Sequence, residues 1–331
     1  AEQMKRMFAV YERASGQAIN YEKSAIFFSA NTSKDLRKTI FAELGNMKEA
    51  TDGKYLGLPM LIKRSKQQVF CHIKYKVKEK LQGWKRNLLS PAGKEVLIKS
   101  MAMALPTYTM SCFKLHKVLC KDTSKMIAKC WWGSGESERK IHWTSWKKMP
   151  QVKARGGLGF RDLEKFNEAL LAKQLWRMLT KPNLLVNKVM KANYLTRAQS
   201  WGNDPPKAVS CIWKSIMGTR KLLNKGIEKK VRDGKTIDIW QDNWILGSAD
   251  GRIKTRRDPD CTISKVDELM TDEEWSQEIL NRWFIAVDIQ KIRAIPISIT
   301  GCPDRMYWRY TKSGPFTMKS GYDAAMEEVQ K

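Results

Sequence analysis

Between residues 69 and 84 the apolar side chains Val69, Ile73, Val77, Leu81 and Trp84 recur at intervals of three or four, and lysines fill the places between them. That interval puts the apolar set on one stripe of an α-helix and leaves Lys74, Lys76, Lys78, Lys80 and Lys85 along its edges in water. The segment must therefore be a helix with a partner on one side only, and Ser65 stands where its N-cap is expected. The same style of punctuation continues downstream. Ser90-Pro91 supplies an N-cap and a first-turn proline for a helix through Val96, Leu97, Met101 and Ala104, which Pro106 interrupts. Further helices are predicted over Tyr108 to Leu115 and Lys117 to Trp132. Asp162 caps another, which runs to about Leu179 after the glycine-rich turn Gly156-Gly157-Leu158-Gly159.

The flanks are more mixed. Met4, Met7, Phe8 and Tyr11 predict an opening helix that Ser15-Gly16 ends. A strand pair is predicted over Ala18 to Tyr21 and Ser24 to Ser29, followed by a helix capped by Asn31-Thr32-Ser33, carrying Leu36, Ile40 and Leu44, and closed by Gly45. Lys54 to Pro59 is predicted as one short strand. Towards the other end, Pro205-Pro206 marks a boundary, and hairpins are predicted around Val231 to Ile237, on its Asp-Gly turn, and around Lys312 to Pro315.

Charge narrows the partners. The 331 residues hold 61 Lys+Arg against 34 Asp+Glu, a net +27, so the chain carries a positive field that draws polyanions. Length favours several packing units over one globule. No apolar run approaches the roughly 20 residues of a membrane span, no secretory succession opens the chain, and the lack of an initiator Met predicts a piece of a longer protein. An intracellular setting, nuclear or cytoplasmic, is expected, with no membrane as partner.

Catalytic patterns are missing. A polymerase or nuclease needs paired carboxylates to hold divalent cations, and Asp-Asp occurs nowhere. Neither GxxxxGK[ST], GxGxxG nor GxSxG is present. The 7 Cys and 3 His fall singly, which predicts reduced thiols and no metal site. What remains is the basic helical region, where Lys63, Arg64, Lys74, Lys78, Lys85, Arg86, Lys94 and Lys99 are candidates for phosphate contacts. Replacing Lys74, Lys78 and Lys85 together is expected to weaken RNA binding. Trp131, Trp132, Trp143, Trp146 and Trp176 are expected in cores rather than as stacking platforms.

Five phrases in order span most of the chain: Ala14-Ser15-Gly16-Gln17-Ala18-Ile19-Asn20 with Lys23-Ser24; Lys54-Tyr55-Leu56-Gly57-Leu58-Pro59; Ser90-Pro91-Ala92-Gly93-Lys94 running to Ala104-Leu105-Pro106; Gly156 to Leu163; and Trp240-Gln241-Asp242-Asn243-Trp244. Together they resemble the region after the catalytic loop of plant LINE-type (non-LTR) retrotransposon reverse transcriptases. The resemblance implies an α+β, mostly helical fold: residues 1–60 ending the palm with a primer-grip strand, 61–180 a basic helical thumb, and 181–331 a connector with β-hairpins. It implies that Lys54, Tyr55, Leu56 and Gly57 touch nucleic acid, and that Lys23 matches the palm lysine that assists pyrophosphate departure. The two divalent cations, the catalytic aspartates and the fingers would belong to an upstream part of the same polyprotein, and a zinc-binding module would come after this chain.

The function expected is thus binding of RNA or an RNA/DNA duplex, with no cofactor and no catalysis by this chain alone. A decayed remnant that folds poorly and a domesticated basic RNA-binding protein are the alternatives left open by the residues.

Overall fold

The computed structural model describes residues 1–331 apart from 30, 46, 51–53, 56, 60–65, 86–88, 134–140, 195–208, 246–247, 249, 272–273, 299–300 and 328–331. The described chain is α+β and mostly helical, with a few short strands. Its contacts divide it into two units, Ala1–Val69 and Phe70–Lys331.

In the first unit, α1 (Glu2–Ser15) ends where Gly16 turns left-handed at φ 69° and donates to the Glu12 carbonyl. Its stripe is the expected one, yet Met4, Met7 and Tyr11 are 51%, 69% and 53% exposed. The strand β1 (Ala25–Ile26) precedes α2 (Lys34–Leu44), whose Ser33 cap accepts from Leu36 N–H and whose end is closed by Gly45. The predicted Ala18–Tyr21 strand does not form. Asn20 instead makes a turn, its side chain accepting from Lys23 N–H, and β1 pairs in parallel with β2 (Lys48–Glu49) across the helix. Arg37 holds this arrangement, bonding Glu49 at 2.6 Å and the carbonyls of Thr32 and Ser29, with its guanidinium over the Phe28 ring. Lys54 to Pro59 is likewise two pieces rather than one strand. β3 (Lys54–Tyr55) and β4 (Leu58–Pro59) pair antiparallel, and Gly57 takes the φ of 80° that so tight a reversal requires.

From Phe70 onward helices dominate. α3 (Lys66–Lys85) presents Phe70, Ile73, Val77 and Leu81 to the interior, as its spacing dictates. α4 (Pro91–Leu97) starts on Ser90, whose hydroxyl accepts from Gly93 N–H, and passes into a π-helical turn at Ile98–Ala102, where Met103 N–H reaches the Ile98 carbonyl. α5 (Thr107–Cys112) comes after Pro106, and α6 (Lys117–Trp132) ends on the left-handed Gly133. Val77, Leu81, Ile98, Met103, Ile127, Met149 and Phe160 close one core between these helices.

α7 (Leu163–Thr180), capped by the Asp162 carboxylate, is shared between that helical part and the rest. On one side, its buried Asn167 donates to the Met110 and Phe113 carbonyls and accepts from Leu115 N–H, so the end of α5 is satisfied without water. On the other, Leu171, Leu175 and Trp176 join a second core with α9 (Cys211–Met217) and α10 (Arg220–Asn224), reached after α8 (Leu185–Tyr194).

A third core lies under loops between β5 (Ile227–Lys230), β6 (Met270–Thr271), β7 (Glu274–Trp275), α11 (Gln277–Trp283) and α12 (Ala286–Arg293). Here the predicted hairpin is replaced by a longer-range pairing. β5 does not turn back at Asp233-Gly234 but pairs antiparallel with β8 (Arg305–Trp308), Ile227 opposite Trp308 and Lys230 opposite Arg305. The turn is organised by Asp304, which accepts from the backbone N–H groups of Arg232, Gly234 and Thr236 and from the Thr236 hydroxyl. Lys312 to Pro315 is a turn too, without a return strand, leading to α13 (Met318–Glu327), which packs on α7. Trp308, fully buried, packs against Phe316 and Trp176 and donates its indole N–H to Ser320.

Candidate nucleic-acid interface

The lysines of α3 fall on two flanks of its apolar stripe. Lys74 and Lys78, four residues apart, share one flank, and Lys76 and Lys80 lie on the other. Lys74 is tied down, its ammonium 2.8 Å from the Asp122 carboxylate of α6. That hydrogen bond holds the Asp122 carboxyl below the ordinary range, slight desolvation opposes it, and the charge of Lys125 adds to it. The contact ties α3 to α6, with Lys78 one turn further along the same flank of α3.

The outer face of α6 is basic in its own right. Leu119, Cys120, Thr123, Ile127 and Cys130 turn α6 inward, which leaves Lys117, Lys121, Lys125 and Lys129 in a row at four-residue intervals on the outside. Lys117 bridges to Glu164 at 3.2 Å. Lys78, Lys121, Lys125 and Lys129 are exposed and have no ion-pair partner among the described residues, so Asp122 stands nearly alone against them. Like charges at i, i+4 cost helix stability by a few tenths of a kcal/mol per pair. Such a row is tolerated where a polyanion offsets it.

Sequence reasoning misses the row on α6, although a signal for it exists. The spacing of lysines at 117, 121, 125 and 129 is as regular as the apolar stripe of α3, but the denser lysines upstream overshadow it.

The other assigned residues separate. Lys99 is a structural lysine: it bonds Glu95 at 2.7 Å and the Leu158 carbonyl at 2.6 Å, and it sits over the Phe160 ring. With Lys153 it holds the Glu95 carboxyl low, the Lys99 hydrogen bond being the largest cause. Lys94 is half-buried on α4. Lys23 is exposed in the Asn20 turn of the first unit. Lys54 and Tyr55 form β3, Gly57 is the turn beside it, and Lys85 ends α3. Leu56, Lys63, Arg64 and Arg86 lie outside the described residues, as does the Ser65 cap.

The glycine-rich loop serves packing. A Cβ on Gly157 would stand 2.1 Å from the Gln151 carbonyl oxygen, while Gly156 and Gly159 take positive φ. Leu158 and Phe160 then donate to the Met149 carbonyl and seal the first helical core. The Trp240 to Trp244 phrase is structural as well, with both indoles donating to backbone carbonyls, of Ile263 and Ile239. Among the tryptophans expected inside, Trp131, Trp132, Trp146 and Trp176 do pack in cores, whereas Trp143 is 84% exposed, because Ile141 beside it is exposed too and no stripe carries it inward.

Among the described residues no three His, Cys, Asp or Glu side chains converge as a metal site would require, and no helix is long and apolar enough to cross a membrane.

No protein-family model matches the chain. It is similar to the "Putative ribonuclease H protein At1g65750" of Arabidopsis thaliana, 28% identical over 273 residues, which are 80% of this chain and 44% of that protein. The chain thus spans less than half the length of that relative. With the "Uncharacterized mitochondrial protein AtMg00310" of Arabidopsis thaliana it shares 41% identity over 145 residues, 44% of this chain but 94% of that protein, and it therefore belongs to the family of that protein.

Proposed function

We propose that this chain binds RNA or an RNA/DNA duplex along its phosphate backbone, as part of a plant retrotransposon-derived polymerase of the LINE type. In that reading residues 61–180 act as the thumb, the pairs around Lys54 to Pro59 position a primer end, and residues 181–331 serve as a connector to a further module of the polyprotein. The observation that carries it is the lysine face made by α3 and α6, held in place through Lys74 and Asp122. The relative named as a ribonuclease H is in keeping with a protein that meets RNA/DNA hybrids. In this reading the chain's part is to grip the duplex, through the lysines of α3 and α6.

Gripping phosphates releases counterions, so log K should fall by about 0.9 per log unit of salt for each duplex phosphate engaged. The test is a titration of an RNA/DNA duplex of about 16 base pairs at several salt concentrations, with the native chain and with Lys78, Lys121, Lys125 and Lys129 all changed to Ala. The variant should bind at least about tenfold more weakly and with a shallower slope, while unfolding no more easily than the native chain, because the like-charge pairs on α6 are relieved. A native chain whose affinity ignores salt would refute the proposal.

A further inference from the structure

We infer that the cleft between the C-terminal end of α7 and the β5–β8 pair takes a single unpaired nucleotide, its base against Met306, Pro315 and the edge of Trp176 and its phosphate between Lys181 and Arg305. The inference rests on the reading of the chain as a nucleic-acid binder, but not on the α3/α6 face, which is built from other elements.

The cavity is about 520 Å³, within the range of about 300 to 1,000 Å³ of small-molecule sites. That is room for one nucleotide and not for a paired helix. Its chemistry is divided in the way a nucleotide is divided. One wall is apolar, from Trp176, Leu179, Met306 and Pro315. The rim carries Lys181 and Arg305, both exposed and without a salt-bridge partner among the described residues. Lys229, half-buried behind them, is already paired with Asp242 and adds no free charge to the wall.

Two features bear on how a phosphate would sit. Asp304 lines the cleft and keeps its negative charge, but its oxygens are engaged by the chain, Oδ1 by Arg232 and Gly234 N–H and Oδ2 by Thr236, which leaves Arg305 and Lys181 as the groups free to meet a phosphate. A helix C-terminus is ordinarily negative. Here the carbonyls of Trp176, Arg177 and Met178 accept from the Thr180 hydroxyl, Lys181 N–H and the Asn187 amide. The cleft is thus faced by two exposed cations, an apolar wall, two threonine hydroxyls and the Asp304 carboxylate that the backbone holds beside Arg305. Unstacked bases bind proteins by this combination of apolar contact and backbone cations.

The test compares two probes on the full chain, a fluorescent single-stranded hexaribonucleotide and the blunt RNA/DNA duplex. Changing Lys181 and Arg305 to Ala together should weaken the hexaribonucleotide about tenfold and the duplex less than about twofold. Both residues are exposed, and matching melting curves will show that the fold is kept. Met306→Glu should repeat the loss by placing a carboxylate on the apolar wall. A hexaribonucleotide that does not bind, or that binds these variants as it binds the native chain, overturns the inference. A duplex that does not bind overturns the α3/α6 reading and leaves the hexaribonucleotide result to stand on its own.

Discussion

The helical part from Phe70 to Thr180 and the loop-rich part from Cys211 to Glu327 are held together differently. In the former, order is mostly local: Ser90, His116 and Asp162 each cap the next helix within three residues, apolar stripes three and four apart align the helices, and the buried Asn167 is the main group that reaches far along the chain. In the latter, carboxylates reach across the chain to gather backbone N–H groups. Asp304 holds residues 232 to 236, and the fully buried Asp288 accepts from Lys254 N–H, Thr255 N–H and the Thr255 hydroxyl. A loop without a ladder must satisfy its donors somehow, and an ionised carboxylate accepts several at once. Local order tolerates the loss of one bond, whereas a shared acceptor does not.

The worth of each device is open to measurement. The largest loss should come from Trp308→Ala, which empties the centre of the core that joins α7 to α13. It should cost about 3–5 kcal/mol in denaturant unfolding. If the loss stays under about 1 kcal/mol, the two parts are not joined there. Asp304→Ala should come next, at about 2–3 kcal/mol, because it orphans three N–H groups and a hydroxyl. Burial pushes the Asp304 carboxyl up, but the donors from Arg232, Thr236 and Gly234 together outweigh it and leave it below its ordinary value. Its contribution is therefore complete above the unfolded carboxylate pKa and disappears as pH falls through the lower folded value. The gap between native and Asp304→Ala melting temperatures should close as the pH is lowered through that window. A gap that is constant with pH would mean that the carboxylate charge is not what holds the turn.

Ser90→Ala should be the mildest, about 1 kcal/mol for one lost cap, with α4 otherwise intact. Should it exceed Asp304→Ala, the proposed division between local and long-range order is wrong.

The same division decides what the sequence reveals. α6 is legible from Lys117 to Trp132, and α7 from its Asp162 cap, because the signals sit inside the element they define. The Asp-Gly turn misleads because Gly234 does take positive φ, as such a turn demands, yet its strand finds its partner beyond residue 300. No pattern around residue 233 encodes Asp304. The candidate interface is half legible: the α3 lysines are evident, but which of them is spent on Asp122 depends on how two helices are juxtaposed. The cleft at Arg305 is not legible at all, since it is lined from three separate stretches of chain.

The distance spanned by Asp304 also has a meaning in time. Its acceptor oxygens lie 68 to 72 residues after the N–H groups they serve. At a synthesis rate of about 5–20 residues per second, those N–H groups wait roughly 4–14 s for their partner, although the core around Val231, Ile237 and Ile239 is supplied earlier, by residues 244 to 295. In the helical part the caps and stripes emerge together, and the comparable wait is that of residues 110 to 115 for Asn167, 52 to 57 residues later. The backbone of this turn is therefore the last part of its neighbourhood to be satisfied during synthesis, at a moment set by the position of one aspartate along the chain.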